Sequence, residues 1–166
     1  MRRIAGAALI AAAALAQVTW APHFEVGGAF PNLVLLGVVG VTWTHGQRSG
    51  MVWACVGGLL LDLVASGPVG PHAIALLAGA YVIGFWTRDL QRPTAVHVVL
   101  TAVVGTLLYS AVLVLTNGLL GLPVPQPGTA LWLASTAAAY NALLMPLALG
   151  VIRRLQALTS STRAPS

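Results

Sequence analysis

The feature that most constrains this chain is the continuity of its apolar runs. AGAALIAAAALA (residues 5–16) and LVLLGVVGV (residues 33–41) contain no charged or amide side chain, and similar runs recur along the sequence. Only 7 % of the residues are charged, against 58 % hydrophobic, whereas a soluble domain carries roughly 25 % charged side chains. So little charge does not cover a water-facing surface, which makes lipid the expected solvent. In hydrocarbon every backbone N–H and C=O has to be paired within the chain, leaving helices or a closed barrel. Barrel strands alternate apolar and polar residues, and these runs do not. The expected class is an all-α integral membrane protein, and the length suits one domain.

Polar segments divide the chain into six apolar stretches, at about 4–21, 32–44, 51–66, 72–87, 95–116 and 129–152. The reading is a six-helix transmembrane domain (residues 1–152) followed by a polar tail (153–166), expected to be disordered beyond its first turn. His45 to Gly50 reads as a tight turn suited to an antiparallel helix pair. Gly67 to Pro71 reads as a second turn, because its prolines and glycines do not continue a helix. Pro123, Pro125 and Pro127 favour an extended loop between the last two stretches. The second, third and fourth stretches are short for a bilayer, which takes ~20 helical residues to cross. Extension into the turns is the preferred reading; local thinning and a re-entrant segment are the others.

The net charge is +5, from eight arginines, no lysine and three acids. In a soluble protein this balance would suggest nucleic acid. Here the arginines flank apolar runs, so orientation in a membrane accounts for them and no nucleic-acid partner is expected. With both termini in the cytoplasm and six spans, Arg2, Arg3, Arg48, Arg88, Arg92, Arg153, Arg154 and Arg163 all fall inside. The expected location is therefore the cytoplasmic (inner) membrane, multi-pass. Arg48, Arg88, Arg92, Arg153 and Arg154 are candidate contacts for anionic lipid or acidic partner surfaces, at about 1 kcal/mol each near such a leaflet. The N terminus also has the pattern of a signal peptide, with Ala14-Leu15-Ala16 as its cleavage site, and cleavage would leave five spans in the same orientation.

Asp62 is the one acid inside an expected span. An ionised carboxylate at mid-bilayer costs ~3 kcal/mol on insertion scales. Three readings stand: a polar contact with another helix or a partner, an interfacial carboxylate that caps the turn amides of Gly67 and its neighbours or is simply hydrated, and ion or proton handling. Asn32 follows Pro31 and suits the N-cap of the second stretch. Asn32 and Asp62 both fall near the outer face, where they would meet across the short hairpin. Gly58 is four residues from Ala54, as Gly84 is from Ala80, giving small faces for internal packing or for a partner helix. Gly67 and Gly70 belong to the second turn, and Asn141 with Pro146 suggests a kink in the last stretch.

The four histidines lie at boundaries without metal-ligand spacing, and Cys55 stands alone. Tryptophans near the span ends fit an interfacial belt. No hydrolase elbow, metalloprotease or phosphate-loop motif occurs. No catalytic residue, metal or cofactor is expected.

Several of these segments resemble the MreD family of rod shape-determining membrane proteins. They are Leu15-Ala16-Gln17-Val18-Thr19, Phe30-Pro31-Asn32 with its apolar run, Gly50, Gly57-Gly58-Leu59-Leu60-Leu61-Asp62-Leu63 and Ser66-Gly67-Pro68-Val69-Gly70. Tyr140-Asn141, Met145-Pro146 and Arg153-Arg154 extend the likeness to the last stretch. The clearest part covers roughly residues 15–84. The chain departs from the pattern at Asn32, where a carboxylate is frequent, at Gly57-Gly58, and at Pro71-His72; a role needing a charge at position 32 is not carried over. The resemblance implies a non-catalytic scaffold of the cell-elongation (rod) complex. It also implies MreC as the direct partner. Through MreC the scaffold would reach the elongation glycosyltransferase–transpeptidase pair that makes peptidoglycan, and MreB filaments inside. It disfavours cleavage of the first stretch. The layout is also similar to the substrate-binding subunits of energy-coupling-factor vitamin transporters, which supplies the alternative function.

Overall fold

The computed structural model describes residues 28–65, 67–90 and 94–161, together with Ala13, Ala16, Gln17 and Thr19, which are helical. Among the described residues five helices have defined bounds: α1 (Leu33–His45), α2 (Gln47–Val64), α3 (Pro71–Thr87), α4 (Ala95–Leu119) and α5 (Pro127–Ser161). They match the second to sixth apolar stretches. The first stretch lies outside the described residues apart from the four positions named, as do Arg92 and the last residues of the tail.

The bundle is arranged around α1. This helix touches all four others, and every residue from Val34 to Thr42 is buried. A helix that is apolar all round is an enclosed helix, which is why LVLLGVVGV shows no amphipathic stripe. Consecutive helices pack side by side from α1 to α5, and α5 closes back on α1. Leu35, Leu76, Ile83 and Met145 are the largest fully buried apolar side chains. The outside is apolar as well: Leu63 is 70 % exposed, Leu119 78 % and Leu143 76 %. Large apolar side chains exposed on α2, α3, α4 and α5 are compatible with residence in lipid. Ala95–Leu119 (25 residues) and Pro127–Arg154 (28 residues) are long and apolar enough to cross a membrane.

Two places differ from the sequence expectation, the first turn and the tail. The turn at His45–Gly50 reduces to Gly46, whose φ of +83° suits a residue without Cβ. Residues 47 to 50 form the first turn of α2 instead. Extension thus lengthens α2 but not α1, whose 13 residues cover only ~20 Å at 1.5 Å per residue. Walled in by other helices, α1 has its backbone bonds and side chains satisfied by protein. The tail expected to be disordered instead continues α5, which passes Arg153 and Arg154 to end at Ser161; Arg, Leu, Gln and Ala are good helix formers.

The seam between α2 and α3 is set by Gly58. A Cβ at this position would fall onto the Ala73 Cα and lie 2.7 Å from its backbone N. Backbone does not yield as a side-chain tip does, so the close approach requires glycine. Gly58→Leu is therefore expected to destabilise the bundle by at least ~1–3 kcal/mol, the usual cost of overpacking. Gly79→Ala, whose new carbon meets nothing nearer than 3.8 Å, leaves stability unchanged or slightly raised. Thermal melting in detergent checks the contrast.

Candidate functional site

The last turn of α2 places Asp62 beside the first turn of α3. The N-cap of α3 is Gly70, at φ +131°, which has no side chain to cap with. Pro71 at the next position has no N–H. The donors left open at this helix start are those of Gly70, His72 and Ala73, and Asp62 accepts from all of them. Its Oδ2 takes the Gly70 N–H at 2.9 Å and the Ala73 N–H at 3.2 Å. Its Oδ1 takes the His72 N–H at 2.9 Å and contacts the His72 ring Nδ1 at 2.8 Å. A carboxylate only 1 % exposed thereby caps a helix that its own sequence leaves uncapped, at the end where the helix dipole favours negative charge.

A second set of contacts fixes the start of α1. The Asn32 side chain accepts from the Leu35 N–H at 2.9 Å, and Gln17 accepts from the Val34 N–H at 3.0 Å. The backbone N–H of Asn32 donates to Asn141 Oδ1 of α5 at 3.0 Å. Asn141 in turn donates to Thr106 of α4 at 2.9 Å, and the Thr106 hydroxyl donates to the Ala102 carbonyl at 2.7 Å. Tyr109, one turn beyond Thr106, joins the two sets: it borders the same space as Asn32 and its ring lies 6.3 Å from that of His72. Among the described residues no buried side-chain N or O atom lacks a partner.

Part of this cluster borders a cavity of about 270 Å³. Gln17, Asn32, His72, Thr106 and Tyr109 form its polar side, and residues such as Leu113 and Leu133 its apolar side. The His72 side chain is 26 % exposed. The chemistry on show is recognition and helix docking: Gln17, Asn32, Asn141 and Asp62 take helix-start amides, while the His72 Nε2 takes part in none of these bonds.

Of the residues singled out from sequence, Asn32, Asp62, Gly70 and Asn141 come together at this end of the bundle. Asn32 and Asp62 do not bond to each other as the hairpin argument expects. Asn32 accepts from a helix-start amide of α1 and Asp62 from those of α3. Gly67 is not among the amides that Asp62 holds; its N–H goes to the Ala65 carbonyl at 2.7 Å. Gly58 lies on the α2–α3 seam, one turn before Asp62. At the other end, Arg48 and Arg88 border one cleft together with Trp43 and Gln47. Arg88 also lies 5.6 Å from the Phe85 ring and 3.4 Å from Asp89. Arg153 faces the start of α4 near Thr94, and Arg154 is exposed.

Sequence reasoning passes over Thr106 and Tyr109, whose i, i+3 spacing on an apolar helix is the available signal. It groups His72 with the boundary histidines, although Asp62 lies ten residues before it, and it reaches Gln17 only through family likeness.

Two outcomes are expected. Asp62→Ala leaves the α3 start without its acceptor and lowers stability more than His72→Ala, by ~1–3 kcal/mol or more. In double-mutant cycles, Asn32→Ala and Asn141→Ala couple more strongly than Asn32→Ala and Asp62→Ala. Thermal unfolding in detergent measures both.

Comparison with protein-family models matches residues 3–153 of the 166-residue chain to the family described as rod shape-determining protein MreD. No curated protein and no solved structure matches significantly. With nearly its whole length inside that match, the chain belongs to the MreD family of rod shape-determining proteins.

Proposed function

We propose that this protein is a non-catalytic membrane scaffold of the cell-elongation complex. It crosses the inner membrane six times with both ends in the cytoplasm, binds MreC directly and helps control peptidoglycan synthesis. MreB and the glycosyltransferase–transpeptidase pair are reached indirectly. The observation that carries this reading is the family match over residues 3–153, which implies a role in determining rod shape. An all-α bundle with an apolar exterior supports its residence in lipid.

The arginines support the orientation. Arg48, Arg88 and Arg153 sit at the α1–α2 turn, the end of α3 and the α4-facing side of α5. The Asp62–Asn32 cluster occupies the opposite end, which carries no arginine among the described residues. Cationic ends on one side are what the positive-inside rule requires. Exposed arginines there also suit anionic lipid headgroups.

The cavity of about 270 Å³ favours one second reading, a substrate-binding subunit similar to those of energy-coupling-factor vitamin transporters. A tight water-soluble ligand, with no MreC recovered in mild detergent, would establish that reading instead.

The scaffold reading predicts co-purification with MreC. Its topology predicts that a cysteine at Arg48, in a Cys55→Ala background, is not labelled by an impermeant maleimide added to spheroplasts, while one at Gly121 is. Labelling at position 48 from outside would overturn the topology.

A further inference from the structure

We propose that the outer-end cavity and the cleft between α4 and α5 form one continuous site for a neutral amphiphile, its hydroxyl or amide head in the cavity and its hydrocarbon chain in the cleft. The proposal rests on the membrane reading above but not on MreC binding. The cavity of about 270 Å³ and a second, apolar cleft of about 600 Å³ share Ser110, Val114, Ala130 and Ala134 as lining. These short side chains of α4 and α5 form the wall that the polar end cavity and the outward-facing cleft have in common. Leu107, Leu115 and Leu131 line the cleft beyond that wall, a surface that suits an acyl chain.

The polar side selects the head. Asp62 holds His72 through Nδ1, and no hydrogen bond to Nε2 occurs among the described residues. With Nδ1 turned to the carboxylate, Nε2 is the ring nitrogen left to bond a ligand. The Tyr109 hydroxyl and the Asn32 amide border the same space. A head that both donates and accepts, such as a hydroxyl or an amide, matches this set. Among the described residues no arginine borders the cavity or the cleft, and the Asp62 charge is spent on α3 amides and His72. A phosphate or carboxylate head has no arginine to meet among them.

The test is native mass spectrometry of the full chain released from detergent micelles, titrated with monooleoylglycerol. The expected result is a one-to-one adduct that His72→Ala weakens about fivefold, the loss of roughly one neutral hydrogen bond. Ala134→Trp, which fills the junction, is expected to abolish it, and Ser110→Leu serves where that variant does not fold. Equal binding by glycerol alone, or a preference for dioleoyl phosphatidic acid, would overturn the proposal. So would an adduct indifferent to all three substitutions. A benzophenone amino acid at Leu131, photolysed in cells, is expected to attach to a lipid-sized mass; attachment to a polypeptide would instead make the cleft a helix-docking surface and reject the amphiphile.

Discussion

The architecture depends on one carboxylate meeting one helix start. α3 begins with Gly70 and Pro71, a pair that supplies neither a capping side chain nor a complete set of amides. In a low-dielectric surround, open N–H groups cost several kcal/mol each. Asp62, arriving from α2, removes that cost and is itself relieved of the penalty of burial by the same contacts. The two helices are therefore fastened at this end by charge and hydrogen bonds, and along their length by the approach that Gly58 permits. Neither element of this pair is complete without the other, and His72 inherits its orientation from the arrangement.

The same logic recurs at α1. Its first amides are taken by Gln17 and by its own Asn32, and Asn141 reaches in from α5 to take the amide of Asn32 itself. Side-chain amides are well suited to this because each offers an acceptor and a donor. Asn141 uses both, joining α1 and α4. The polar residues of the bundle interior thus tie helix starts to distant helices. Apolar side chains such as Leu35 and Met145 fill the remaining space.

Much of this was legible in the residues, because lipid leaves so few choices. Apolar runs bounded by glycine and proline mark the helices, and a lone acid in such a run marks a place of contact. Asn32 after proline announces a helix start. What stayed hidden was the pairing: Asn32 and Asn141 are 109 residues apart, and no periodicity relates them. Hidden too was the central position of α1. Continuous hydrophobicity says that a helix is surrounded by apolar material, but lipid and neighbouring leucines satisfy that equally. The tail misled for a simpler reason: local polarity pointed to disorder, whereas Arg153 and Arg154 continue a helix already running from Pro127.

That long final helix has a mechanical consequence. Its 35 residues amount to ~52 Å of rod at 1.5 Å per residue, well beyond the ~30 Å of hydrocarbon. Asn141, part-way along it, grips the start of α1. Pro146 stands between that grip and the arginine-bearing overhang and gives no N–H to the preceding turn, so a tilt of the overhang is taken up first by bending there. Movement at one end of the bundle therefore reaches the other through one continuous helix with a single soft point.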